Sequence, residues 1–191
     1  MADNFFGITH TGRIRDNNED TFLAEQLPNG WIVACVIDGV GGYEGGEVAA
    51  EIARETLRRK LQQLTADPIQ VLKEGLLQAN QNIYQEKQRD NGNSQMACVL
   101  TVAVVDIDSN QFYYAHVGDT RLYLLRDQSL VKVTKDHSFV GFLEDSGRLT
   151  EEEAMQHPKR NEINKALGFD PQIDLRSDYI ETGSSPFLPG D

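Results

Sequence analysis

The apolar positions along the chain follow two rhythms. Residues 4–8, 21–27 and 31–37 form short apolar or alternating runs, the pattern of strands, and Pro28-Asn29-Gly30 supplies a turn between the second and third. From about residue 47 to 64 the period changes. Val48, Ile52, Ala53, Leu57, Leu61 and Leu64 recur at helical spacing and define one apolar face. Asp67-Pro68 has the form of a cap followed by a first-turn proline. It predicts a second helix running to about Arg89 and burying Leu72, Leu76 and Ile83. After the polar loop Asp90-Asn91-Gly92-Asn93, strands are predicted at 98–105, 111–117, 121–126 and 130–133. Thr150-Glu151-Glu152-Glu153 reads as a capping box that opens a short helix ending by Pro158. A further short helix is expected at 161–167 and a strand at 173–179. Antiparallel meanders with two long helices predict a single α+β domain, its sheets packed together with helices outside.

Composition narrows the function. The chain has 191 residues, enough for one domain with a sizeable core. A net charge of −12 argues against nucleic acid and against an anionic membrane surface, and most of that acidity reads as solubility. No apolar run approaches the length of a membrane span, and residues 1–4 lack the pattern of a signal peptide. Cys35 and Cys98 sit in apolar runs without metal-ligand spacing, so they are expected to be buried free thiols of a cytoplasmic protein.

Three short blocks carry the chemistry: Arg13-Ile14-Arg15-Asp16-Asn17-Asn18-Glu19-Asp20, Ile37-Asp38-Gly39-Val40-Gly41-Gly42 and His116-Val117-Gly118-Asp119-Thr120-Arg121. Each places an aspartate beside a tight turn or at a strand end. Carboxylates gathered from separate strand ends suit a hard divalent cation such as Mg²⁺ or Mn²⁺. Arg15, five residues before Asp20, adds a planar fork shaped for phosphate. Cation and arginine together point to phosphoryl chemistry. Asp38 ends an apolar strand, and Gly39 leaves its own carbonyl open to an ion; an isolated Asp-Gly would sooner be a plain turn, and the flanking blocks reverse that. Glu19 and Asp20 point to opposite sides if their segment is extended, the alternative being a solvated polar turn. Asp119 lies in a turn between strands, where accepting backbone hydrogen bonds is the competing role. Arg121 is expected to brace that loop, Arg13 to be a surface charge, and Glu44 and Glu47 to be loop and helix-start acids. His116, His137 and His157 form no ligand triad at helical spacing and are read as structural.

These blocks, taken in order with Thr11-Gly12, Gly45-Gly46-Glu47, Thr134-Lys135-Asp136-His137-Ser138 and Asn164-Lys165-Ala166-Leu167-Gly168, resemble the metal-dependent Ser/Thr protein phosphatases of type 2C in their bacterial form. The resemblance covers nearly the whole chain. It implies two stacked antiparallel sheets flanked by helices, an α/β/β/α sandwich, with residues 139–167 as a variable flap beside the active site. It implies that Asp38 bridges two metals and that the Gly39 carbonyl binds one. By the same resemblance Glu19 and Asp20 act partly through metal-bound waters, Asp119 holds a third, looser metal, and Arg15 grips the substrate phosphate. The implied reaction is hydrolysis of phosphoserine and phosphothreonine in proteins by a metal-activated water, with two or three Mn²⁺ or Mg²⁺ ions. The implied partners are phosphorylated proteins and a cognate Ser/Thr kinase.

The sequence departs from the family pattern in three places. Val40 follows Asp38-Gly39 where many members carry a proton donor, so the leaving group takes its proton from water or needs none. Met96-Ala97-Cys98-Val99 replaces the usual Gly-Thr-Thr before the central strand. The sequence given stops at Leu188-Pro189-Gly190-Asp191, before the segment in which the family carries two further metal aspartates, and the last core strands are expected to be missing with them. Two functional expectations follow: a phosphatase weak or inactive in this form, or a phosphatase-like regulatory or binding module without turnover. An unpaired sheet edge would favour self-association.

Overall fold

The computed structural model describes residues 5–41, 45–64, 67–89, 95–174 and 176–187. In chain order the elements are β1 (Asp20–Gln26), β2 (Ile32–Val40), α1 (Gly45–Leu61), α2 (Pro68–Arg89), β3 (Ala97–Asp106), β4 (Gln111–Val117), β5 (Tyr123–Arg126), β6 (Ser129–Lys132), α3 (Phe139–Asp145), α4 (Glu151–Gln156) and β7 (Glu181–Pro186). Five strands form one antiparallel sheet in the order β1-β2-β3-β4-β7, and β5 pairs with β6 in a separate hairpin. The architecture is the expected α+β one, antiparallel sheets flanked by helices, with the second sheet formed by two strands among the described residues. Glu44, the 90–93 loop and the closing 188–191 phrase lie outside those residues.

The period of two along each strand sorts the main sheet into two faces. Val33, Cys35 and Ile37 of β2 share one face with Leu100, Val102 and Val104 of β3 and with Ala115 and Val117 of β4, and all are buried in the main core. Helices α1 and α2 cover this face. On α1 the buried stripe is Ala49, Ala53, Leu57 and Leu61, while Val48 is 38% exposed, so the stripe is rotated slightly from the predicted face. On α2, Leu72, Leu76 and Ile83 are fully buried as expected. Asp67 caps this helix by accepting from the Gln70 amide at 3.1 Å. Both cysteines are free and buried in the core.

The opposite face carries Asp38, Val36 and Ala34 of β2 beside Val99, Thr101 and Ala103 of β3. The β5–β6 hairpin and residues 163–166 lie on this side, lining an apolar pocket with Ala103 and Phe112 and packing against Val99 respectively. Asp38 therefore sits on the face away from the long helices.

Three predicted elements differ. Residues 5–8 join no ladder, and Phe6 and Ile8 are 86% and 80% exposed. An apolar run becomes a strand only with a neighbour to pair with. Residues 161–167 are not a helix: Ile163 bridges Ser138, and Leu167 exchanges backbone hydrogen bonds with Cys98 at 2.8 and 3.0 Å. Burying Ala166 and Leu167 against the start of β3 outweighs a weak helical period. The described residues of the strand expected at 173–179 form no strand; Asp174 accepts from the Arg176 and Ser177 amides. The strand itself lies further on, at β7, whose Glu-Thr-Gly-Ser-Ser-Pro sequence carries no apolar alternation to announce it.

Candidate active site

The β1–β2 register sets Asp20 directly opposite Asp38. One residue earlier, the Glu19 carbonyl accepts from the Gly39 amide at 3.1 Å, so β2 runs on past Asp38 to Val40 instead of ending at Ile37. Gly39 has no room for a side chain: a Cβ there would run into the Gly46 carbonyl, and Glu19 O would lie 2.8 Å away. Glycine is what lets the first turn of α1 close on this pair of strands. The Glu19 carboxylate sits against Gly46 in that turn, as the positive end of a helix favours.

A cavity of about 500 Å³ opens over these residues, lined by Arg15, Asn17, Glu19, Asp38, Gly39, Val40 and Asp119, with Asn161 and Ile163 on its far wall. Asp20 lines a neighbouring cavity of about 360 Å³ that also reaches Asp38, together with His10 and Thr120. The structure thus gathers Arg15, Glu19, Asp38, Gly39 and Asp119 around one space and puts Asp20 on the other side of Asp38. Arg13 is exposed and lines neither cavity. Burial pushes the Asp38 carboxyl up to about 7; the charges of Asp20 and Asp119 add to this, and Arg15 works against it. Asp119 is raised by burial and by Asp136. Half-buried carboxylates that repel one another fit a divalent cation, whose charge would remove the repulsion.

Asp119 is held by the turn between β4 and β5. Gly118 takes φ +107°, and a side chain there would strike Val99. The Gly118 amide donates to His137 Nδ1 at 3.1 Å, while the His137 amide donates to the Gly118 carbonyl at 2.6 Å. Arg121 forks onto the Asp136 carboxylate at 2.6–3.1 Å and also reaches Tyr123, Glu144 and Glu151, so the bracing role expected of it is met.

A different group, His116, His137 and Glu181, brings its ligand atoms within 4.8 Å of one another. Each is already committed. His116 contacts the Thr101 hydroxyl at 2.8 Å and the Lys135 carbonyl at 3.0 Å. His137 Nδ1 accepts from Gly118, and Glu181 accepts from the Tyr114 hydroxyl and the Lys135 amide. This is a polar knot under the turn, in keeping with the structural reading of these histidines. Asn161 and Asp136 were not anticipated at the site. Asn161 carries no signal in a polar stretch; Asp136 could have been found as the acid next to His137 in a block already singled out.

Aspartates paired across a ladder, an adjoining glycine and a rim arginine, set on an antiparallel sheet with helices behind it, fit a metal-dependent phosphatase class. Residues 10–170 match the protein phosphatase 2C family. The serine/threonine phosphatase stp of Listeria monocytogenes serovar 1/2a is 34% identical over 191 residues, covering 96% of this chain and 72% of that protein. Protein phosphatase PhpP of Streptococcus pneumoniae is 30% identical over 190 residues, covering 96% and 76%. Among solved structures, the phosphatase Stp1 from Staphylococcus aureus superposes with a TM-score of 0.79 at 28% identity, covering 95% of this chain and 70% of that one. The catalytic domain of the phosphatase PstP in complex with two manganese ions superposes at 0.73 and 28% identity, covering 92% and 68%. The chain belongs to the protein phosphatase 2C family, whose activity is metal-dependent dephosphorylation of serine and threonine in proteins.

Proposed function

We propose that the cavity between the β1–β2 pair and the Gly118–Arg121 turn is the phosphatase centre, with Arg15 as its phosphate-binding group. Asp38, flanked by Asp20 and Glu19, with the Gly39 carbonyl and Asp119, would hold the cations, two or three of Mn²⁺ or Mg²⁺; the structurally similar PstP catalytic domain is bound to two manganese ions. The observation that carries this reading is the Asp20–Asp38 cross-strand pair, a like-charge contact that costs stability unless a cation lies against it. What the cations supply when bound is a water acidified towards neutral pH and neutralisation of charge on the phosphoryl group. Arg15 donates to phosphoryl oxygens and orients the phosphorylated side chain towards Asp38. Val40 has no proton to give, so the departing serine or threonine oxygen takes its proton from water.

Residues 139–167 act as the flap, and the Asn161 and Ile163 wall of the cavity comes from it. The partners are phosphorylated proteins and the kinase that made them. A cytoplasmic location is supported by two buried, unpaired thiols. Self-association through a sheet edge is supported by β1 and β7, each with one ladder neighbour among the described residues; light scattering above the 21.4 kDa of one chain would be its sign. No helix among the described residues is long and apolar enough to cross a membrane.

The test is phosphate release from a phosphothreonine peptide with and without Mn²⁺. Release that stops on chelation is expected. Mn²⁺ binding with no release would instead mark a module that binds without turnover.

A further inference from the structure

The turn that carries Asp119 is tied to the 139–156 segment through the side chain of Arg121. Arg121 is 21% exposed at the side chain and meets three carboxylates, one from a loop and two from helices. These are Asp136 at 2.6 Å, Glu144 of α3 at 2.7 Å and Glu151 of α4 at 2.8 Å. Lys132 of β6 completes the network by pairing with Glu144 at 3.0 Å and Asp145 at 2.9 Å. A second strand of contacts runs through His137, which exchanges hydrogen bonds with Gly118 and whose carbonyl accepts from the Asn164 amide at 2.8 Å.

We propose that Arg121 is a positioning residue that transmits the seating of α3 and α4 to the Asp119 carboxylate. The guanidinium plane is rigid and its donors have fixed directions, so it satisfies Asp136, Glu144 and Glu151 together only in one orientation. When α3 and α4 are seated, that orientation fixes the backbone two residues from Asp119. When they lift, Arg121 keeps Asp136 as its one carboxylate partner, with the Tyr123 hydroxyl beside it, and the turn gains freedom. The helices that precede the Asn161 wall of the cavity would thereby also govern how firmly Asp119 is presented to it. The consequence for cation holding rests on the role proposed above for Asp119; the mechanical linkage does not.

The test is amide hydrogen exchange on the whole chain carrying E144Q and E151Q. Both changes keep side-chain volume and leave the Arg121–Asp136 fork in place, and the carboxylates they replace bond the side chains of Arg121, Lys132 and Tyr123. Exchange in 139–156 is expected to rise on the order of tenfold, the loss of charge-assisted contacts being the cause. A comparable rise is expected at the Gly118 and Leu122 amides, which are hydrogen-bonded to His137 and Thr134. R121K, which cannot fork, should reproduce the rise at those two amides. Wild-type exchange at Gly118 and Leu122 while 139–156 loosens would overturn the proposal, as would wild-type exchange in both segments. Mn²⁺ affinity, read from the paramagnetic resonance of free ion, should weaken severalfold in the same variants. Raised exchange at the turn with unchanged Mn²⁺ affinity would leave the linkage standing and count against Asp119 as a ligand.

Discussion

Asp20 and Asp38 face each other across the β1–β2 ladder, two carboxylates at a position where an antiparallel sheet ordinarily places attracting or apolar partners. In the metal-free protein this pair opposes folding at neutral pH. Asp38→Asn should therefore stabilise the metal-free chain at pH 8 by roughly 1–2 kcal/mol, less than an interior pair would give because Asp20 is exposed to screening solvent. The same variant should lose the rise in melting temperature that Mn²⁺ gives the wild type, and with it metal-dependent turnover. Differential scanning calorimetry with and without Mn²⁺ reads both. A variant less stable than wild type without metal, or one that keeps the full Mn²⁺ shift, would refute the bridging role.

Arg15 lines the cavity from a loop that precedes β1, and its side chain supports no packing in the core. Arg15→Ala should leave thermal stability and Mn²⁺ affinity unchanged while lowering kcat/KM on a phosphothreonine peptide about 10- to 100-fold, the worth of a charge-assisted contact to phosphate. Unchanged kcat/KM would mean that another group orients the phosphate.

The strands that carry Asp20 and Asp38 were legible because their signals are local. Val33, Cys35 and Ile37 alternate, Asp38-Gly39 punctuates them, and the Thr150 box announces α4 in four residues. What stayed hidden depends on distant partners. Residues 161–167 look helical in isolation, yet Leu167 pairs with Cys98, 69 positions earlier in the chain. β7 is a polar edge strand recognised only by its pairing with β4. Of the cavity lining, Asp38, Gly39 and Asp119 were singled out by the order of their blocks, since each alone would pass for a turn residue. The contribution of Asn161 could not, because nothing in its neighbourhood says which wall it joins.

Gly118 offers a stability test of the turn itself. Its φ of +107° is costly for any side chain, and a Cβ would also strike Val99, which is fully buried. Gly147 has a positive φ of +71° but open space around it. Gly147→Ala should cost about 1 kcal/mol, the backbone penalty alone. Gly118→Ala should cost about 3 kcal/mol, because overpacking against Val99 adds to that penalty. Urea unfolding of the two variants separates these contributions, and equal losses would show that Val99 yields freely.

The knot beneath the turn predicts an acid sensitivity with a definite sign. His137 is 10% exposed at its side chain, its Nδ1 accepts from the Gly118 amide, and its ring lies 4.8 Å from that of His116. Burial pushes His137 down to about 3, His116 and Lys165 push the same way, and Asp178 opposes them. Glu181, 3.9 Å from Nε2, is too far for a strong hydrogen bond to the protonated ring. Between pH 6.5 and 3 the unfolded chain therefore binds a proton at this residue that the folded chain refuses, and stability rises with pH across that window. The contribution is complete above about pH 6.5 and is lost as the pH falls, by roughly 1–2 kcal/mol on going from 6.5 to 5. His116, lowered by its own burial, adds in the same direction. His137→Asn places an amide oxygen where Nδ1 accepts from Gly118 but removes the titration. Its urea midpoint should fall less than that of the wild type over the same pH range. Parallel pH profiles for the two proteins would show that His137 is protonated in the folded state after all, with Glu181 moving in to pair with it.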